Sequence, residues 1–124
     1  MRRGRWAWML VLGVMPALTG TAEAAQTEDV ALRGVKFDPD RVEISVGDTV
    51  RWSYESGGNH TLTFEDGPDY HPGCSSIGSL VADCFSSGDA PIEREFKKAG
   101  EHAYFCKVHS GMAGVVIVTD ERVG

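Results

Sequence analysis

The stretch Tyr104-Phe105-Cys106-Lys107-Val108-His109-Ser110-Gly111-Met112-Ala113-Gly114 constrains this chain more than any other, because it places three metal-binding side chains at i, i+3 and i+6 of one short loop. A thiolate, an imidazole and a thioether stand between two β-like runs, one ending at Cys106 and the other Val115-Val116-Ile117-Val118. Two soft sulfurs and a borderline nitrogen suit copper, which accepts two imidazoles and a thiolate in a compressed site with a long, weak thioether bond on its axis. Cys106, His109 and Met112 supply three of those four ligands. His60, at the head of the apolar run His60-Thr61-Leu62-Thr63-Phe64, is the candidate for the second imidazole.

Around this loop the chain alternates apolar and polar residues with period two, and no stretch keeps a 3.6-residue period. Val42, Ile44 and Val46 point one way and Arg41, Glu43 and Ser45 the other; Val50, Trp52 and Tyr54 repeat the pattern after Gly47-Asp48. These read as half-buried strands of an antiparallel sheet. Further strands are expected at 30–37, 61–64, 92–96, 102–106 and 115–118. Seven to eight short strands separated by turn residues predict an all-β chain folded as a β-sandwich. Gly57-Gly58-Asn59 is the turn that delivers His60. Residues 65–91, rich in Gly, Pro, Ser and Asp, are too long for a plain connection, and Phe85 is expected to pin them to the core.

Residues 1–24 stand apart from this pattern. Arg2, Arg3 and Arg5 make a basic start, an apolar run over 6–18 is broken by Pro16, and Ala22-Glu23-Ala24 is a small-x-small cleavage signal. The run is shorter than the roughly 18 to 20 residues that span a bilayer, and no cysteine near the cleavage site offers a lipid acceptor. The expectation is a cleaved signal peptide, residues 25–124 as a single domain, and a periplasmic or extracellular protein without stable membrane insertion. Removing three arginines and one glutamate leaves nine basic and seventeen acidic residues, a formal charge of −8. An acidic surface without a basic stripe argues against nucleic acid or anionic membrane as partner. It suits solubility and a partner with a basic patch.

The chain has three cysteines. In an oxidising compartment Cys74 and Cys84, in one polar loop, are expected to pair and leave Cys106 as a free thiolate. Such a bridge, closing about ten residues, is worth on the order of 2 to 3 kcal/mol. The alternative, a bridge from either of them to Cys106, would destroy the metal site.

These motifs resemble the cupredoxins, the small blue-copper electron carriers that include plastocyanin, amicyanin and pseudoazurin. The resemblance covers residues 35–118 and rests on Phe37-Asp38-Pro39, Val46-Gly47-Asp48-Thr49-Val50-Arg51-Trp52, the isolated His60, Phe85-Ser86-Ser87-Gly88 and Gly100-Glu101-His102-Ala103-Tyr104-Phe105-Cys106 running into the ligand loop. The two residues between His109 and Met112 are similar to the short amicyanin-type loop. The resemblance implies a Greek-key sandwich and one type 1 copper held by His60, Cys106, His109 and Met112. It also implies a monomer that exchanges single electrons with a donor and an acceptor protein docking near His109, through a patch of Val108, Met112 and Ala113. Many relatives carry Asn directly after the first histidine. Here Thr61 stands in that place, and its hydroxyl is expected to bond across to the ligand loop.

The segment 73–84 departs from the plastocyanin and amicyanin pattern, and one short helical turn is expected there. Phe105 is expected to face outward, and His71 and His102 to be solvated. Two other functions compete with electron transfer. A storage or delivery module would use the same ligands, but such proteins multiply Met or Cys, and the mature chain retains only Met112. An enzyme of the copper oxidase type would need a second ligand cluster, and a dinuclear centre a second cysteine in the loop, where Lys107, Val108 and Ser110 stand.

Overall fold

The computed structural model describes residues 24–74 and 83–121, with eight strands among them. They are β1 (Thr27–Arg33), β2 (Lys36–Asp38), β3 (Arg41–Ser45), β4 (Thr49–Tyr54), β5 (Thr63–Phe64), β6 (Ile92–Glu95), β7 (Gly100–Phe105) and β8 (Ala113–Thr119). Each strand turns one apolar row inward, so two sheets are needed to cover those rows from both sides. The sheets run β2-β1-β4-β6 and β3-β8-β7-β5. Val30, Leu32, Phe37, Val50 and Trp52 come from the first, and Val42, Ile44, Phe64, Tyr104, Val116 and Val118 from the second; all are buried in one cluster.

Trp52 is the centre of that cluster. Its ring is fully buried and meets Phe64 at 5.6 Å and Tyr104 at 5.4 Å, both edge-on. Edge-to-face contacts of this kind add about 0.5 to 1.5 kcal/mol each beyond the area they bury. The outer faces carry the charges, among them Arg33 bonded to both Glu55 and Asp38, and Arg51 bonded to Asp29.

The alternation holds where it was read, since Val42, Ile44, Val50 and Trp52 all face the core. The sheets differ from the expectation of antiparallel pairing. β1 runs parallel to β4, and β3 parallel to β8, so both sheets are mixed. Parallel neighbours need a long crossover, and here the chain makes it by passing into the other sheet before returning. The strand expected at 30–37 is two strands, because Gly34, at φ +63°, turns the chain so that Leu32 lies opposite Phe37. That expected at 61–64 shortens to Thr63–Phe64. Residues just before it form other bonds, with His60 and Phe85 exchanging both backbone hydrogen bonds at 2.9 and 2.8 Å.

Cys74 and Cys84 form a disulfide, with Cα atoms 5.0 Å apart, and Cys106 is the free cysteine. The bridge ties two points of the long segment after β5 together, and Phe85, buried at 1% exposure, fastens that segment to the core. The expected leader falls outside the described residues up to position 23, and the expected helical turn within 73–84 falls outside them at 75–82. No helix among the described residues is long and apolar enough to cross a membrane.

Gly57 holds the turn before His60 at φ +102°, and a Cβ there would fall on the Gly34 carbonyl oxygen. Gly57→Ala is expected to destabilise the fold by at least about 1 to 3 kcal/mol, read as a lower thermal midpoint. An unchanged midpoint would mean that the two turns separate freely.

Candidate metal centre

His60 and the loop after β7 meet at one end of the sandwich. Thr63 pairs with Phe105 and Phe64 with Tyr104 across β5 and β7, which carries the residues just outside each strand toward one another. The result brings together side chains 46 positions apart. Cys106 Sγ lies 3.9 Å from His60 Nδ1 and 3.7 Å from His109 Nδ1. One donor atom from each of the three residues falls within a mutual 4.8 Å. Bonds of roughly 2.0 Å to nitrogen and 2.3 Å to sulfur, spread in a trigonal plane, would separate such donors by about 3.7 Å. The spacing and the donor types therefore fit one copper ion.

The loop itself is closed by its backbone. Cys106 N–H donates to the Met112 carbonyl at 2.9 Å and Met112 N–H to the His109 carbonyl at 3.1 Å, with Gly111 supplying a left-handed turn at φ +82°. Cys106 and Met112 are buried, at 5% and 2% exposure, whereas His109 is half-buried at the rim. These two bonds hold the loop shape without using any of its metal-binding atoms.

Further bonds orient the donors. His60 Nε2 donates to the Ser56 carbonyl at 2.8 Å, which leaves Nδ1 facing the sulfur. The backbone N–H groups of Thr61 and Val108 both donate to Cys106 Sγ at 3.4 Å. As expected from the sequence, Thr61 bonds across to the ligand loop, its Oγ1 accepting from Lys107 N–H at 2.8 Å. Ser56 was not legible in advance, because its contribution is a carbonyl that any residue would provide.

Burial raises the Cys106 thiol, but hydrogen bonds from His60 and from the backbone of Thr61, His109 and Val108 outweigh it and bring the value down to about 6. Burial also works against the charged His60 ring, yet the Cys106 sulfur and the Ser56 carbonyl lift it above its ordinary value. The contact between the sulfur and the ring thus favours the charged form of each. A metal held at Nδ1 would compete with a proton for that nitrogen.

Of the two other histidines expected to be solvated, His102 departs from that expectation and His71, partly exposed, does not. His102 is buried at 5% exposure, with Nδ1 on the Asp66 carboxylate at 2.6 Å and Nε2 on the Lys98 carbonyl at 2.9 Å. His71 stacks on Phe85 with ring centroids 5.5 Å apart and holds the Asp83 carbonyl. Neither reaches the metal centre. Phe105 is partly exposed.

A family model described as copper binding proteins of the plastocyanin/azurin family matches residues 24–119. The chloroplast plastocyanin of Tetradesmus obliquus is 37% identical over 87 residues, 66% of this chain and 57% of the relative, so the chain spans little more than half that relative's length. Among solved structures, the Cu-containing nitrite reductase of Thermus scotoductus SA-01 superposes with a TM-score of 0.59 at 26% identity, over 86% of this chain and 25% of the reductase. An oxidized amicyanin variant superposes with a TM-score of 0.57 at 21% identity, over 79% of this chain and 85% of its own.

A thiol depressed from 9.0 to about 6 favours the folded state in its ionised form. Its stabilising contribution is complete above the unfolded value and disappears as pH falls through about 6. In the metal-free protein the ultraviolet thiolate absorbance is expected to vanish on acidification with that midpoint, and to be missing in Cys106→Ser. A midpoint near 9.0 would show that the surrounding donors do not act on the sulfur.

Proposed function

This chain belongs to the plastocyanin/azurin family of copper binding proteins, and from that premise we propose that it is an exported one-electron carrier whose copper is held by His60, Cys106, His109 and Met112. The observation that carries the reading is the donor triad of His60, bridged to Phe85, and Cys106 and His109, on the loop directly after β7, gathered within a mutual 4.8 Å. Copper bound there supplies a Cu(II)/Cu(I) couple.

The protein's own part is to keep the donors still and dry. His60 is fully buried, its ring fixed by Ser56 behind it and by Tyr54 at 5.7 Å beside it. Cys106, directly after β7, is held by its backbone bond to Met112, and its sulfur by backbone amides. Met112, buried in the same loop, would offer its thioether as the fourth and weakest donor. A frame that does not relax on a change of metal charge loses little free energy to rearrangement when an electron arrives or leaves. His109 is the ligand nearest solvent, so a partner docked against it and Val108 would lie in contact with the site. The acidic surface favours a partner presenting basic groups around its own redox centre.

Carrier is preferred over enzyme because His60, Cys106 and His109 are the one cluster of three or more His, Cys, Asp or Glu donors found among the described residues. The nitrite reductase resembles this chain over only 25% of its own length, which leaves most of that enzyme unmatched. Export through a cleaved leader at residues 1–24 is supported by the Cys74–Cys84 disulfide, a bond of oxidising compartments. We take the mature protein to be a monomer of residues 25–124 in the periplasm or outside the cell.

Adding Cu(II) to the purified protein is expected to give intense visible absorption that bleaches with a mild reductant and returns on reoxidation. Cys106→Ser should remove that absorption. A colourless product, or the faint blue of nitrogen and oxygen ligation alone, would reject the electron-transfer site and favour copper storage or delivery.

A further inference from the structure

A closed ring of hydrogen bonds runs from the ligand loop through β5 and back. Lys107 N–H donates to Thr61 Oγ1 at 2.8 Å, Thr61 and Thr63 hydroxyls lie 3.1 Å apart, and Thr63 Oγ1 donates to Asp69 Oδ1 at 3.0 Å. Lys107 Nζ closes the ring on Asp69 Oδ2 at 2.9 Å and also holds the Pro72 carbonyl at 3.1 Å. The direction of the chain is forced. The carboxylate only accepts, so Thr63 donates to it; Thr63 then accepts from Thr61, and Thr61 accepts from the amide of Lys107. Bonds aligned in one direction polarise and strengthen one another.

The ring's position gives it a role beyond fastening the segment after β5. An ion pair between Lys107 and Asp69 would do that alone, at 27% and 30% side-chain exposure. The two threonines add nothing to such a staple, yet they are buried at 0% and 8% and spend both hydroxyls on this path. Its upper end grips the residue directly after Cys106 and the residue directly after His60. The Thr61 amide is one of the N–H groups aimed at the Cys106 sulfur.

We propose that Thr63, Asp69 and Lys107 are positioning residues of the metal centre, which clamp Thr61 so that its N–H stays on the Cys106 sulfur and thereby raise the reduction potential of bound copper. The inference rests on the copper-carrier reading. An N–H dipole on the sulfur stabilises the reduced site, whose net charge is more negative, so slackening it lowers the potential.

Thr63→Val is the cleanest test, because it cuts the ring without changing shape or charge. Two readouts are taken: the reduction potential of the copper form, and amide hydrogen exchange of Thr61 and Lys107 in the metal-free protein. The expected results are a lower potential and exchange roughly fivefold faster or more. Wild-type values for either readout overturn the proposal. Asp69→Asn, Lys107→Met and their combination give a second, independent test. Positioning lowers the potential in all three. Coulomb effects alone would raise it in Asp69→Asn, lower it in Lys107→Met and cancel in the pair, and that pattern also overturns the proposal. If the wild-type protein fails to develop the blue absorption, the carrier reading fails on that observation, while the exchange measurement still tests the clamp in the metal-free chain.

Discussion

The whole metal centre depends on a pairing of only two residues per strand. β5 meets β7 through Thr63 opposite Phe105 and Phe64 opposite Tyr104. A ladder this short has little stability of its own. It persists because its inward side chains, Phe64 and Tyr104, lie edge-on to the Trp52 ring in the middle of the core. Arg94 covers Phe64 from outside, its guanidinium 4.4 Å from the ring centroid. Burial of aromatic surface therefore fixes a register, and the register brings His60 and Cys106 to one point. The apolar core and the polar centre are two ends of the same arrangement.

A sulfur anion in such a place is unfavourable until other groups compensate for lost water. Here the compensation is assembled in advance from backbone amides and the His60 ring beside the sulfur. No charged side chain from outside the donor set is needed beside the sulfur. The arrangement explains how one thiol can remain ionised and unpaired in a chain that also forms a disulfide. Cys74 and Cys84 sit together in a segment anchored by Phe85, with Cα atoms 5.0 Å apart, while Cys106 is buried in the ligand loop. Segregation by the fold, not a difference in the cysteines, decides which two are joined.

Much of this was legible in the sequence, for a physical reason. Strands with one face in a core must alternate, and Arg41 to Tyr54 alternates without interruption apart from the Gly47-Asp48 turn. Metal ligands on one loop are tied to sequence spacing, so Cys106, His109 and Met112 could be read directly. Parallel pairing could not, because alternation carries no information about which strand lies alongside. His102 was misread for a related reason. Its inward position in β7 is plain from Tyr104 two residues later, but the carboxylate that makes burial tolerable, Asp66, lies 36 positions away. The ring through Thr63 and Asp69 is equally non-local. A threonine in an apolar run looks like an ordinary strand residue until the acceptor beyond it is known.

The same distinction separates the two jobs of the ligand loop. Between Cys106 and Met112 the shape is set by backbone hydrogen bonds and by the left-handed turn at Gly111, so the side chains of Lys107, Val108 and Ser110 are not needed to close the loop. Lys107 turns back into the protein and meets Asp69, whereas Ser110 is exposed at the rim next to His109. Changes on the rim alter what a partner meets without disturbing the donors. Changes along the Lys107 side act on the donors without altering that surface. In a carrier, affinity for a partner and affinity for an electron must be adjustable separately, and a loop closed by its own backbone, with one face toward solvent and one toward β5, permits that.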